Sequence, residues 1–277
     1  MNLIIALIIL GVVQGIAEFL PVSSSGHLVI CEHIPFIRDI LNTFGEDIGL
    51  FINVALHVAT LIAVLIYLRS DIFKIITCFF SAVSKKEFKS SGFLLPLYII
   101  VASIPAGFAG IFLNDYLEVL FGSLLAVGIL LVINGFILSS TRFIKIKDND
   151  LEQTGFIRAL IIGLFQALAI IPGISRSGMT ISGGLLTGLK PNDAARFSFL
   201  MAIPVIAGAG LIEGIKISGK NLGLDFYAIL FLAMILTVIV ALFAMKLLFY
   251  FVKKVRVDIF GYYTALVGIC CIVIAAV

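Results

Sequence analysis

The sequence predicts an all-α integral membrane protein built as an inverted-topology repeat, with two re-entrant helix pairs and six transmembrane helices. Three observations predict it. Of the 277 residues, 61% are hydrophobic and 13% charged, against roughly 45–50% and about 25% in soluble domains. Six apolar runs are long enough to span, since about 20 helical residues cross a bilayer core. Finally, one polar motif occurs twice. A shift of 152 positions places Gly163 on Gly11, Gln166 on Gln14, Ala169 on Ala17, Ser175 on Ser23, Ser177 on Ser25 and Gly178 on Gly26.

In chain order, residues 2–20 are apolar and stop at Pro21 and a serine run, after which comes a short segment, 27–34. Spans follow at 50–68, 92–113 and 118–138. A cytoplasmic linker, 141–155, leads to a second broken element: 156–171 stops at Pro172-Gly173 and is followed by 180–189. The last spans are 197–215, 226–251 and 259–277. The chain thus divides into a first repeat, 1–140, with its re-entrant pair at 2–34, and a second, 156–277, with its pair at 156–189. Short, Pro/Gly-interrupted apolar segments at matching places in two halves mark discontinuous helices. Irregular backbone survives at membrane depth only where protein or a water-filled cavity covers it. The first basic residue is Arg38, so the N-terminal stretch lacks the positive region of a cleavable signal and reads as part of the mature chain.

Charge sets orientation. Arg69, Lys74, Lys85, Lys86 and Lys89 against Asp71 and Glu87, then Arg142, Lys145, Lys147 and Arg158, then Lys253, Lys254 and Arg256, mark three basic connections. Short basic loops stay in the cytoplasm. Residues 31–49, with Arg38 against Glu32, Asp39, Glu46 and Asp47, and the acidic 114–118 face outward. The first broken segment then begins and ends outside and the second begins and ends inside, so the halves are inverted. Lys216 and Lys220 run against this scheme. Tyr67, Tyr227, Tyr250, Tyr262 and Tyr263 lie near span ends, where Tyr anchors at the headgroup level. The expected location is the plasma membrane, crossed several times. No basic cluster is dense enough for nucleic acid. Cys31, Cys78, Cys270 and Cys271 make no C-x-x-C and read as packed or lipid-facing residues.

Against this apolar background a few residues carry chemistry. Gln14 and Glu18 share one helix face, and a charged group at membrane depth costs about 2.5–3.5 kcal/mol on insertion scales, which makes it a functional candidate. The run Ser23-Ser24-Ser25-Gly26-His27 suits a helix N-terminus, whose free N–H groups bind phosphate. Its spacing lets a hydroxyl nucleophile meet an imidazole base. Arg176 offers a guanidinium fork that matches phosphate or a carboxylate, so it either grips an anion or pairs with Glu18. Ser175, Ser177 and Thr180 cluster hydroxyls at the second helix start. His33 and His57 have no such company and read as interfacial or packed. A hydroxyl, an imidazole, a carboxylate and an Arg within a membrane describe phosphoryl transfer on an amphiphile. The same parts also suit anion or lipid transport on an inverted repeat, and the residues alone leave both readings open.

Gln14-x-x-x-Glu18, Pro21-Val22-Ser23-Ser24-Ser25-Gly26-His27 and Pro172-Gly173-Ile174-Ser175-Arg176-Ser177-Gly178-Met179-Thr180 resemble the signatures of the undecaprenyl-diphosphate phosphatase, or bacitracin-resistance, family. The likeness runs the full length and includes Ile181-Ser182-Gly183-Gly184. Position 14 carries Gln where many members carry Glu. The resemblance implies hydrolysis of undecaprenyl diphosphate to the monophosphate and inorganic phosphate, recycling the lipid carrier of cell-wall synthesis. It also implies a site open to the outer side and a divalent cation, Mg²⁺ or Ca²⁺, with Glu18 and Gln14 as candidate ligands. Carried over, Ser24 is the nucleophile and His27 the acid/base, with a phospho-histidine at His27 as the alternative. Glu18 orients His27 or binds metal, and Arg176 clamps the diphosphate. Ser23, Ser25, Ser175, Ser177 and Thr180 complete the phosphate cradle. A homodimer fits a bundle of this size. The type-two phosphatidic acid phosphatases need a second His after a Ser-Arg, and no His follows His57.

Overall fold

The computed structural model describes residues 2–44, 48–112, 116, 120–217, 222–254 and 257–276, without the side chains of Glu213, Lys216 and Ile217. Glu46, Asp47, Asn114, Asp115, Glu118, Lys220 and Arg256, used above to orient the spans, lie outside the described residues, as does the side chain of Lys216. Among the described residues six helices are long and apolar enough to cross a membrane: α4 (Ile48–Tyr67), α6 (Ser91–Phe112), α7 (Leu124–Ser140), α10 (Pro191–Ile217), α11 (Leu224–Lys253) and α12 (Asp258–Ala276). Among the described residues no strand forms beyond an isolated bridge between Asn149 and Leu189. Helix is the expected outcome, because lipid offers backbone groups no partner and each must be satisfied within its own segment.

The two broken elements also form helices, and they are short. α1 (Asn2–Ala17) is followed by α2 (Ser24–Glu32), and α8 (Gly155–Leu168) by α9 (Arg176–Leu186). At 1.5 Å per residue, the 16 residues of α1 and 14 of α8 fall short of the ~30 Å hydrocarbon core. The second member of each pair starts earlier than the apolar run suggests. The serines lie inside or immediately before the helix, where Ser23 and Ser175 cap it, as the sequence predicts for residues at a helix N-terminus.

Close approach between helices rests on small residues, as is common in membrane bundles. α7 and α12 meet reciprocally: a Cβ on Gly135 would lie 2.7 Å from Gly261 O, and one on Gly268 would lie 2.5 Å from Gly128 O. α1 packs on α11 and α8 on α6. Gly11 leaves room for Thr237 and its counterpart Gly163 for Ala102, where a Cβ would stand 2.7 and 2.6 Å away. α4 packs against α10 and α11, while α10 and α11 both touch further helices of the opposite half. The main core joins Phe19, Phe197, Phe199, Met245 and Leu248, with Phe19 edge-on to Phe199 at 5.3 Å.

Two connections differ from expectation. The basic stretch after α4 is a helix, α5 (Arg69–Lys85), and the connection before α4 holds α3 (Pro35–Asn42). Charge counting marks the side of a loop and says nothing about its conformation. Asp71 in the first turn and Lys85 in the last suit the helix dipole. Ala82 of α5 is buried, while Phe73, Ile76 and Phe80 are exposed. A bidentate pair, Arg196 Nε and Nη2 to Asp71 at 3.2 and 2.6 Å, ties α5 to α10.

Candidate active site

Both short helix pairs deliver their polar turns to one place inside the bundle. Glu18, one residue past α1, is 6% exposed. It is the hub. Its Oε1 accepts from Arg176 Nη2 at 2.5 Å. Its Oε2 accepts from Ser24 Oγ at 2.7 Å and from Gln14 Nε2 at 3.1 Å. Residues from the two motif copies, 158 positions apart, therefore share one carboxylate. A buried charge is tolerable only when paired and hydrogen-bonded, and this one is paired with a guanidinium and holds two further donors.

The two turns interlock. Ser177 Oγ donates to Leu20 O at 3.4 Å. A Cβ on Gly26 would lie 3.2 Å from Gly173 Cα, and one on Gly178 would lie 3.2 Å from Pro21 Cβ. Gly173, at φ 94°, turns the chain where a side chain would be strained. Each serine cap satisfies a helix N-terminus: Ser23 Oγ accepts from Gly26 N at 3.2 Å and Ser175 Oγ from Gly178 N at 3.1 Å. Asn134 of α7 accepts from Ser175 N at 2.9 Å, fixing the second turn from the side.

Burial separates Ser24 and Ser25 from the other hydroxyls, the buried Ser23 included. Ser24, Ser25 and His27 are half-buried, and Ser23 and Ser25 hydroxyls sit 3.2 Å apart. Ser175, Ser177 and Thr180 are fully buried. Thr180 Oγ1 bonds Arg176 O at 2.8 Å and Ser198 Oγ at 2.6 Å, and Ser198 O accepts from Arg176 Nη1 at 3.3 Å. Ser198 thus holds the guanidinium through its carbonyl, and Thr180 ties Ser198 to the Arg176 backbone.

The structure corrects three sequence readings. The Ser24 hydroxyl turns to Glu18 rather than to His27. His27 instead bonds Ser23 O through Nδ1 at 2.8 Å and the Tyr263 hydroxyl through Nε2 at 2.9 Å. A carbonyl only accepts, so Nδ1 carries the proton and, in the neutral ring, Nε2 accepts from Tyr263. Tyr263, expected as an interfacial anchor, stacks on this imidazole at 5.6 Å and 8°. His57, expected as a packed residue, points Nε2 at Glu18 Oε2, 3.4 Å away, with Nδ1 on Asn53 O at 2.7 Å. No local pattern marks His57. Only its polarity within an apolar span could have drawn attention to it. His33 is exposed and bonds its own helix at Val29 O.

The chain matches the family of the bacitracin resistance protein BacA over residues 7–270. The chain belongs to that family. Among its relatives are proteins named undecaprenyl-diphosphatase from Alkaliphilus metalliredigens, 38% identical with 94% of each chain covered, and from Halothermothrix orenii, 38% identical with 99% of each covered. Another, from Methanosphaera stadtmanae, carries the same name at 39% identity, again with 99% of each chain covered. Within this family framework, Gln14, Glu18, Ser24 and Arg176 form one connected polar chain in the bundle.

Proposed function

We propose that this membrane protein hydrolyses undecaprenyl diphosphate to undecaprenyl phosphate and inorganic phosphate, as the names of its relatives describe. The observation that carries the mechanism is the Ser24–Glu18–Arg176 chain, at 2.7 and 2.5 Å. When substrate arrives, Arg176 exchanges part of its pairing with Glu18 for the terminal phosphate, whose charge its fork matches. Ser24 Oγ attacks the terminal phosphorus and its proton passes to Glu18. The bond from that phosphorus to the bridging oxygen breaks, and undecaprenyl phosphate leaves with the bond's electrons. Water then attacks phosphoserine and gives a proton to His27, the bond from phosphorus to Ser24 Oγ breaks, Ser24 regains its own proton from Glu18, and inorganic phosphate departs. His27, steadied by Tyr263, stands by the serines as the group that exchanges protons with the leaving phosphate or the water. Ser23, Ser25 and the N–H groups opening α2 receive the anion. Ser175, Ser177 and Thr180 form the second turn of the phosphate cradle, and Thr180 also ties the Arg176 backbone to Ser198.

The donor set also fits a divalent cation that arrives with the diphosphate. Among the described residues no three His, Cys, Asp or Glu side chains cluster. The buried Gln14 Oε1, however, has no partner, and it stands beside Glu18. Mg²⁺ is commonly held by one or two carboxylates together with substrate phosphates. Gln14 and Glu18 would hold it, and the ion would offset charge on the diphosphate.

The inverted repeat belongs to the same proposal. Support comes from matched contacts: α1 on α11 is answered by α8 on α6, and α4 on α11 by α10 on α6. The site then opens to the outer side of the plasma membrane. Cysteine labelling at Lys86 and at Asp47 should report opposite faces, and labelling from one face would remove the inversion. For activity, purified protein with undecaprenyl diphosphate and Mg²⁺ should release phosphate, and Ser24→Ala should not. Release by Ser24→Ala at the wild-type rate would make water the nucleophile. An inert wild type would favour a lipid or anion transporter.

A further inference from the structure

The polyprenyl chain of a prenyl diphosphate is apolar, so it must leave the polar site along an apolar wall. α4 offers one. Its His57 faces Glu18, and its next face carries Val54 and Val58, which line a furrow of about 320 Å³ shared with α10 and α11. At 100° and 1.5 Å per residue, Val58 sits about 100° around α4 from His57, and Val54 lies about 4.5 Å along the axis. The furrow therefore begins on the same helix beside His57 and runs away from the site, towards Phe51 and Gly214. Gly210 and Gly214 of α10 form its second wall, and Phe231 and Met234 of α11 its third.

The glycines decide its width. A Cβ on Gly210 would lie 2.7 Å from Val58 Cγ2, whereas nothing stands within 4 Å of the position a Cβ on Gly214 would take. Gly in a helix interior costs about 1 kcal/mol relative to Ala. At Gly214 no neighbouring helix requires that loss, and the side of α10 it leaves bare is the furrow. We propose that this furrow holds isoprene units that follow the first one after the diphosphate. The inference rests on the prenyl-diphosphatase reading above. Its lining is apolar apart from Tyr227, and its volume lies at the low end of the ~300–1,000 Å³ typical of small-molecule pockets. That suits a short run of methyl-branched units, with the remainder of the chain in lipid.

Gly214→Phe fills the furrow from a position with free space around it, and Gly214→Ala controls for the helix. Turnover of undecaprenyl diphosphate is compared with that of dimethylallyl diphosphate, whose single isoprene unit does not reach the furrow. Gly214→Phe should raise KM for the long substrate about tenfold, the scale expected when a few buried apolar groups lose their place. Its kcat should stay within about twofold, with the short substrate unaffected and Gly214→Ala like wild type. Unchanged KM for the long substrate overturns the proposal, and so does an equal rise for both substrates. A wild type inert towards both would instead remove the phosphatase reading. The furrow is then still tested by a diazirine-bearing prenyl diphosphate, which should label Phe231 or Met234. Labelling confined to other helices overturns it.

Discussion

The turns around Ser23 and Ser175 use the same hydrogen bonds for different ends. Each serine caps the N–H three residues on, and each stands 3.2 Å from the hydroxyl two residues on. Each follows a short helix whose buried Gln has an unpartnered side-chain oxygen, Gln14 in the first copy and Gln166 in the second. The backbones differ at the cap. Ser175 is extended at φ −79°, whereas Ser23 sits at φ 71°, a region that costs a non-glycine residue about 1–3 kcal/mol. The first turn is half-open and carries Ser24 and His27, and the second is buried and supplies one outward group, Arg176. A duplicated scaffold thus gives one strained, accessible turn for the reacting groups and one relaxed, enclosed turn that anchors a charge.

Several substitutions break or sharpen this comparison. The largest effect belongs to Ser24→Ala, which should lower phosphate release by roughly 10³-fold or more, given the weight of nucleophiles in comparable sites. Its counterpart Arg176→Lys should cost about 10²–10³ in kcat, because a point charge cannot replace the fork; near wild-type turnover would reduce Arg176 to a counter-charge for Glu18. The glutamines should part company next. Gln166→Glu buries a carboxylate with no cation beside it and should destabilise by about 3 kcal/mol or more. Gln14→Glu should retain activity with Mg²⁺ present. Melting curves and phosphate release read both, and equal destabilisation would make Gln14 a packing residue.

The caps give smaller effects of opposite sign. Ser23→Gly relieves the positive φ and should stabilise by about 0.5–1 kcal/mol, while Ser175→Gly should cost a few tenths. Equal signs in thermal melts would show that the first turn is unstrained. Smallest is Lys74→Ala, which removes the exposed 3.1 Å contact to Glu152 and should change stability by under ~1 kcal/mol. Hydrogen bonds from the backbone and from Lys74 lower the Glu152 pKa from its ordinary 4.5. Its contribution is therefore present above about that pH and fades as pH falls through the lowered value. Melting the variant at pH 7 and at pH 3 checks this: its deficit should shrink at the lower pH.

Much of the site is legible along the chain. Serines behind a Pro, a Gln and Glu one turn apart and an Arg in an apolar region each stand out, because polar groups at membrane depth are costly and few. Their repetition at a fixed offset suggests that they belong together. His57, Tyr263, Ser198 and Asn134 leave no such trace. None belongs to a polar motif that recurs along the chain, and the partners of each come from elsewhere in the sequence. Likewise α5 was hidden because its charges mark a side, while its helix depends on packing of Ala82 and on the Asp71–Arg196 pair.

The sequence by itself determined the helical class, the six spans, the two broken elements and the inventory of charged groups. Those follow from local properties: twenty apolar residues reach across a bilayer, and proline and glycine interrupt a helix wherever they fall. Tertiary structure alone decided that Ser24 answers to Glu18 and His27 to Tyr263, and that His57 meets Glu18. Those pairings depend on how closely helices approach and at what rotation. Reciprocal glycines on α7 and α12, and Gly11 and Gly163 on the short helices, set that approach. Their contacts lie tens to hundreds of residues away, where no reading along the chain can see them.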